Sequence, residues 1–371
     1  MKVKCDRAKL LEALQTAASV VPQRSPKPVL QNVKLEVTQD TATLMATDLE
    51  IGIRIVVPGV DVEVPGSALL PLSRFMPILR ESPDETLALE ADPQGTIVRG
   101  DRSEFNLAGA NPDEYPSVAS FTESSYHELP ARFLKEVIRR TAFATDTESS
   151  RYALGGVLFE LEKDKLTAVG TDGRRLARME GPAQSVGEHA TGDQTTIVPT
   201  KALTLIERAL SDADAEIQIA VQPNSILIQS QRVTVFSRLV EGRFPKWREV
   251  FPKRNEFQSI DISVGAFFSA VRQAAVVVSQ ESRGIDFTFG NGSAVLAAKT
   301  AEVGQSRIEL PISFDAEPIT TVLDPRYMGD FLKVLDAEKT FKLEIKDSES
   351  AVVTSTDDGY AYVIMPMSRD R

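Results

Sequence analysis

The residues able to do chemistry are few in this 371-residue chain, and their spacing frames no reaction. There are two histidines, His127 and His189, and a single cysteine, Cys5. A Ser-His-Asp triad, a zinc cage or a histidine base needs an imidazole set among partners. His127 lies near an expected domain boundary and His189 in a stretch rich in Gly, Ala and Thr, and both read as surface residues. Cys5 reads as a small core side chain, and a lone cysteine permits no intrachain disulfide, as suits a reducing compartment. No glycine-led Gly-Lys-Ser/Thr run encodes a phosphate-cradling loop. Gly155-Gly156 and Gly290-Asn291-Gly292 read as turn glycines. The 53 acidic residues offer many carboxylates, but spacing singles out no acid–base pair. No catalytic residue, metal or cofactor is assigned.

Two segments stand apart from this background. The first is Gly170-Thr171-Asp172-Gly173-Arg174-Arg175-Leu176-Ala177. It reads as a β-turn in which Asp172 bonds its own backbone and Gly173 supplies a positive φ. The second is Tyr362-Val363-Ile364-Met365-Pro366-Met367 near the C-terminus. Two readings stay open for it: a last strand stopped by Pro366, or a docking surface. Methionine is the adaptable side chain of surfaces that accept several partners.

The elements that must position these segments recur. Leu10, Leu11, Leu14, Ala18 and Val21 mark one face of a helix. Phe133, Leu134, Val137 and Ala144 repeat that spacing, and Phe267, Phe268, Val271, Ala275 and Val278 repeat it again. A second helix follows each time. It carries Phe75, Ile78 and Leu79 after Pro71, then Leu203, Ile206 and Leu210 after Pro199-Thr200. In the third case it carries Met328, Phe331, Leu332 and Leu335 after Asp324-Pro325. Proline or a capping side chain ahead of the apolar periodicity is how a helix start reads. Alternating or β-branched runs at 33–38, 51–57, 157–162, 217–221, 226–229, 233–239 and 351–355 predict strands, with turns at Pro223-Asn224 and Asn291-Gly292. Thr47-Asp48 returns as Thr171-Asp172, and Tyr115-Pro116 as Phe244-Pro245. The period is near a third of the chain, so the repeat is of whole domains. The reading is α+β, in three repeated domains at 1–122, 123–254 and 255–371, each with two helices packed on antiparallel sheets.

The net charge of −11 argues against tight wrapping of nucleic acid, so any relation to DNA must be local, weak or topological. The charged N-terminus has no apolar stretch behind it, and no run approaches the ~20 residues of a membrane span. The expectation is a soluble, cytoplasmic protein.

With the threefold repeat, four motifs in order resemble one family over essentially the whole chain. They are Arg151-Tyr152-Ala153-Leu154-Gly155-Gly156, the Thr171-Asp172-Gly173 turn, Gly242-Arg243-Phe244-Pro245, and Met365-Pro366-Met367. The sequence is similar to the bacterial DNA polymerase III beta subunits, the replicative sliding clamps. The resemblance implies a non-catalytic protein that encircles duplex DNA and tethers the replicative polymerase for processive synthesis. It implies a head-to-tail homodimeric ring with helices lining the pore. Twelve helices at ~8–10 Å spacing would leave a hole roughly 20–28 Å across, wide enough for a hydrated duplex. Cations on or beside those helices would face the phosphates: Arg24, Arg74, Arg80, Arg139, Arg151, Lys201, Arg272, Arg283 and Lys333. Dimer contacts map to Arg102, Phe105 and Leu107 on one side and Val276 and Val277 on the other.

The resemblance also implies a pocket for Gln-Leu-x-Leu-Phe-like peptides of polymerases, the clamp loader and repair proteins. Its walls would be Leu154, Thr171, Gly173, Arg174, Arg175, Leu176, Pro245, Val250, Tyr327, Val363, Ile364, Met365, Pro366 and Met367. Arg174 stands where many relatives have histidine, Glu249 where a basic residue is common, and the tail Ser368-Arg369-Asp370-Arg371 runs past the usual end. Two other readings are an enzyme of unknown class and a non-replicative β-rich repeat protein. The clamp reading alone requires residues 171–176 and 365–367 to converge in space.

Overall fold

Each repeat opens with a strand that runs straight into a helix, and in the first repeat the residue at the junction explains why. In the computed structural model, which describes residues 1–92, 94–146, 148, 152–252, 256–279, 283–300 and 303–367, the strand Lys2–Asp6 ends where Asp6 caps the helix α1 (Arg7–Ala18). The Asp6 carboxylate accepts the Lys9 N–H at 3.1 Å, satisfying a donor with no partner inside the helix. The second helix of this repeat, α2, spans Leu72–Glu81. The next repeat supplies α3 (Ala131–Thr141) and α4 (Thr200–Ala209), followed by the short α5 (Trp247–Val250). The third supplies α6 (Val264–Ala274) and α7 (Pro325–Lys333), where Asp324 caps the Arg326 N–H at 2.9 Å and Pro325 occupies the first turn. The helices stop earlier than the apolar spacing implies, because Ala142–Ala144 and Ala275–Val277 tighten into 3-10 turns. Val21, Leu210 and Leu335 lie beyond their helix ends.

The strands are antiparallel throughout the described pairings, and the fold is mixed α+β. Within each repeat the order is strand, helix, strands, helix, three strands. Contacts nevertheless divide the chain into two units that cut across this order. One holds Met1–Lys135, Glu162–Asp164 and Ala183–Leu239; the other holds Glu136–Leu161, Lys165–Pro182 and Val240–Arg371. The cause is strand pairing between repeats. In the first unit the strand Val233–Arg238, last of the second repeat, pairs with Ile51–Val56 of the first, with Val235 opposite Ile53. In the second unit Tyr360–Ile364, last of the third repeat, pairs with Arg175–Pro182 of the second, with Leu176 opposite Val363.

The core of the first unit includes Leu10, Leu14, Leu35, Phe75 and Cys5, all fully buried. Burial pushes the Cys5 thiol up to about 12, so it behaves as the packed apolar group expected. The second unit is held by aromatic rings. Phe267 contacts Phe287, Phe289 and Phe341, and Phe331 of α7 stacks on Tyr362 at 5.4 Å with the rings 7° from parallel. This stack ties the last strand to α7. The histidines differ from their expected place. His127 and His189 are 0% and 8% exposed and touch each other, because a neutral ring with backbone partners is a tolerable core residue. Among the described residues no three metal-ligating side chains cluster, and no helix is long and apolar enough to cross a membrane.

The repeated Thr-Asp pair forms the same hairpin twice. Thr171 Oγ donates to Arg175 O at 2.6 Å and accepts the Gly173 N–H, while Asp172 Oδ1 accepts the N–H groups of Arg174 and Arg175. Thr47 Oγ donates to Ile51 O at 2.8 Å and accepts the Leu49 N–H, while Asp48 Oδ1 accepts from Glu50 and Ile51. The third residue must turn left-handed. Gly173 does so at φ 89°, without steric cost; Leu49 does so at φ 81°, against its Cβ. Replacing Leu49 by Gly should therefore stabilise the chain by up to ~1 kcal/mol, the left-handed strain less the extra unfolded-state entropy. A denaturant midpoint that falls instead would show the strain to be absent.

Candidate functional site

The convergence required by the sequence reading occurs in the second unit. The strand Tyr360–Ile364 carries the chain past Arg175–Pro182, and the Met365 N–H then donates to Arg174 O at 2.9 Å. The Met367 N–H donates to Val322 O at 2.8 Å, on the strand Ile319–Leu323. The methionine-proline-methionine segment is thus pinned at both ends by backbone bonds. Met365 is 44% exposed, and Pro366 and Met367 are half-buried. The last strand ends at Ile364, and the exposed Met365 follows one residue later.

Arg175 is the centre of this region. Its side chain is only 10% exposed, and every face of the guanidinium is engaged. Nε donates to Asp172 Oδ2 at 3.0 Å, one terminal nitrogen to Asp330 Oδ2 at 2.5 Å, and the other to Phe143 O at 2.8 Å. The plane lies over Tyr327 at 4.5 Å and Phe143 at 5.4 Å. Tyr362 completes the set by donating its hydroxyl to Tyr327 O at 3.1 Å. Arg175 therefore joins the turn, the 3-10 segment after α3, α7 and the last strand. It is a buttress, with all three of its nitrogens bonded within the protein. Arg174 is its opposite: its backbone is clamped by Asp172 and Met365 while its side chain projects into solvent.

The remaining expected wall residues sort by exposure. Leu154, Thr171, Leu176, Val363 and Ile364 are buried, whereas Gly173, Pro245 and Val250 are exposed. Tyr327 is half-buried on α7. The loop Gly242-Arg243-Phe244-Pro245 abuts the residue before Leu154, since a Cβ on Gly242 would lie 3.2 Å from that of Ala153. Beyond it, α5 is fastened by Trp247 and Arg248, both of which donate to Glu160. Glu249 is exposed and pairs with Lys246. Arg178 lies over Phe251 at 5.2 Å. Sequence reasoning missed Phe143, Asp330 and Glu160. Their roles depend on residues far away in the chain, and only Asp172 carried a local signal.

The expected phosphate-facing cations lie on helices or beside them. Arg74 and Arg80 on α2 and Lys333 on α7 are exposed, as is Arg24 beyond α1. Arg139 on α3 donates to Glu136, and Lys201 on α4 pairs with Asp48. Arg272 on α6 lies over Phe268 at 5.6 Å. Arg283 is exposed ahead of the strand Ile285–Gly290. Arg151 and the tail at 368–371 lie outside the described residues. Of the expected dimer residues, Arg102 and Phe105 are exposed and Leu107 is half-buried at the edge strand Glu104–Ala108. Val276 is 76% exposed and Val277 half-buried in the 3-10 turn after α6.

A fold of three repeated strand–helix units agrees with the comparisons with known proteins. Residues 1–119, 128–246 and 248–368 match, in order, the N-terminal, central and C-terminal domains of the DNA polymerase III beta subunit. The beta sliding clamp of Caulobacter vibrioides is 30% identical over 99% of this chain and 100% of its own length. The DNA polymerase sliding clamp of Bacillus subtilis superposes with a TM-score of 0.93 at 25% identity, covering 100% of this chain and 99% of its own. A sliding clamp of Pseudomonas aeruginosa, solved bound to griselimycin, gives 0.92 at 28% identity over 100% of both chains. The chain belongs to the DNA polymerase III beta subunit family, the beta sliding clamps.

The Arg175 network makes a direct prediction. Arg175→Met keeps the volume but leaves Asp172 and Asp330 without their cation, and should cost ~3–5 kcal/mol of stability. Arg174→Ala, on an exposed side chain, should change it by less than ~0.5 kcal/mol. Chemical denaturation of the two variants side by side checks the contrast; equal losses would refute the buttress role.

Proposed function

We propose that this chain is a non-catalytic processivity subunit: two copies encircle duplex DNA and hold the replicative polymerase, the clamp loader and repair proteins on it. The proposed domains are 1–122, 123–254 and 255–371, and the proposed location is the cytoplasm. The observation that carries the reading is the bond between Met365 N–H and Arg174 O, which seats an exposed methionine beside the Thr171-Asp172-Gly173 turn. An apolar surface on a rigid backbone frame, rimmed by a solvent-exposed arginine, suits a short peptide with leucine and phenylalanine anchors.

The repeat itself supports the homodimer. In each repeat the third strand after the first helix is Ile51–Val56, Arg175–Pro182 or Gly304–Pro311. The first two pair with the last strand of the next repeat. Gly304–Pro311 ends its sheet at an edge, and so does Glu104–Ala108, the last strand of the first repeat. Applying the same rule once more joins Gly304–Pro311 of one copy to Glu104–Ala108 of another, head to tail. Such a heterologous contact closes into a ring and removes two open strand edges. Val276 and Phe105, large exposed apolar side chains, support those two surfaces as the contact. The cations Arg24, Arg74, Arg80, Arg272 and Lys333 would hold phosphates loosely, as sliding requires, and topological capture makes the acidic total charge no obstacle.

Two measurements test this. Fluorescence anisotropy of a labelled Gln-Leu-Ser-Leu-Phe peptide should show micromolar binding that Met365→Asp weakens at least tenfold, ~1.4 kcal/mol. A point substitution is needed because shortening the last strand would remove Tyr362, Val363 and Ile364 from the core. No binding by the folded wild type would defeat the docking reading. Sedimentation should give a species twice the 40.6 kDa chain mass, which Phe105→Asp shifts toward monomer. A wild type that is monomeric at micromolar concentration would defeat the ring.

A further inference from the structure

The buried histidine pair takes no part in the site above, and its hydrogen bonds leave a single arrangement of protons. His127 sits on the strand Tyr126–Pro130, and His189 follows the left-handed residues Gly187 and Glu188. The two Nδ1 atoms are 2.7 Å apart. Val221 N–H donates to His189 Nε2 at 3.1 Å, so that nitrogen carries no proton and neutral His189 is protonated on Nδ1. His127 Nε2 lies 2.8 Å from Glu162 O, an acceptor, so neutral His127 is protonated on Nε2 and offers a lone pair at Nδ1. The result is one directional chain: Val221 N–H to His189, His189 Nδ1–H to His127, His127 Nε2–H to Glu162.

Every donor in that chain meets an acceptor only while both rings are neutral. A further proton on His127 Nδ1 would face the His189 N–H, and one on His189 Nε2 would face the Val221 N–H. A shared metal ion is excluded too, because two bonds of ~2.0–2.1 Å at a tetrahedral angle hold their nitrogens ~3.3 Å apart. The charged groups near the pair come from every neighbouring element. Glu128 on the His127 strand accepts Gln218 Nε2, Glu123 accepts Gln222 Nε2, and Glu216 lies on the paired strand Glu216–Gln222. Glu162, Lys163 and Asp164 form the turn beyond His127, and Glu188 precedes His189. Asp164 favours a proton on His127, but burial outweighs it; burial and then His127 hold His189 low.

We infer that His127 and His189 form a proton-operated latch, which when neutral fastens the Tyr126–Pro130 strand to the 187–189 turn and the 162–164 turn, and when protonated releases them. Both rings lie below their ordinary value of 6.5 in the folded chain, so the opened state binds more protons. The stabilisation is complete above about pH 6.5 and is lost as pH falls below it; each extra proton multiplies opening by up to ~tenfold per pH unit.

The chain has only two histidines, so the full-length protein labelled with nitrogen-15 histidine gives one ring spectrum for each. At pH 7.5 the rings should be neutral and of opposite tautomer, with a scalar coupling between the two Nδ1 atoms through the hydrogen bond. Between pH 6.5 and 5, amide exchange at 126–130 and 184–189, corrected for intrinsic rates, should rise up to ~tenfold per pH unit for each proton taken up, while strand Ala42–Thr47 changes less. In H127Q/H189Q that pH dependence should vanish. Rings of the same tautomer, or either ring titrating near 6.5 with those amides still protected, would overturn the latch. So would an unchanged slope in the double variant.

Discussion

The architecture depends on antiparallel pairing between strands that belong to different repeats. A repeat of two helices and its own strands leaves open strand edges when it stands alone. Val233–Arg238 on Ile51–Val56, and Tyr360–Ile364 on Arg175–Pro182, turn pairs of repeats into continuous sheets. This is why contacts group the chain into two units whose limits fall inside the second repeat. The same rule is left unfulfilled at Glu104–Ala108 and Gly304–Pro311, which end their sheets as edges.

The second of these seams is built around a buried cation. A guanidinium held at 10% exposure is costly unless it is paired and hydrogen-bonded, and each nitrogen of Arg175 bonds one of two carboxylates or a carbonyl while the group lies over Tyr327 and Phe143. The aromatic stack of Phe331 and Tyr362 sits beside it. Together they hold the last strand still, although chain ends ordinarily fray. Met365 is therefore exposed on a backbone that is itself held in place.

The two seams are built alike but finished differently. At the first, the chain after the repeat folds back over the hairpin. Tyr115 is buried, its hydroxyl accepting the Thr47 N–H and donating to Asn32 O, and Val118 packs with Met45 and Leu69. Arg54 donates to Val118 O and holds the segment down. At the second, Phe244 is half-buried, Pro245 is exposed, and the following helix is drawn aside by the bonds of Trp247 and Arg248 to Glu160. The two seams of the repeated chain thus differ in cover: one hairpin is closed over and the other is left open.

Much of this was legible from residues alone, because it depends on neighbours a few positions apart. The helix starts at Asp6 and Asp324, the apolar spacing of Leu10 and Leu14 or Phe267 and Val271, and the Asp172-Gly173 turn are all local. The family resemblance extended that reading to the methionine-proline-methionine segment. What the sequence could not determine was which distant partners meet. Arg175 reads as a turn residue, and through the resemblance as part of a pocket wall, until Asp330, 155 residues away, arrives beside it. His127 and His189 read as solvated until the 62 residues between them fold and set their rings 2.7 Å apart. Both are polar groups whose usual place is water, and only a complete set of hydrogen-bond partners makes their burial favourable. That set is assembled by the tertiary fold, and it leaves no trace in the spacing of the residues.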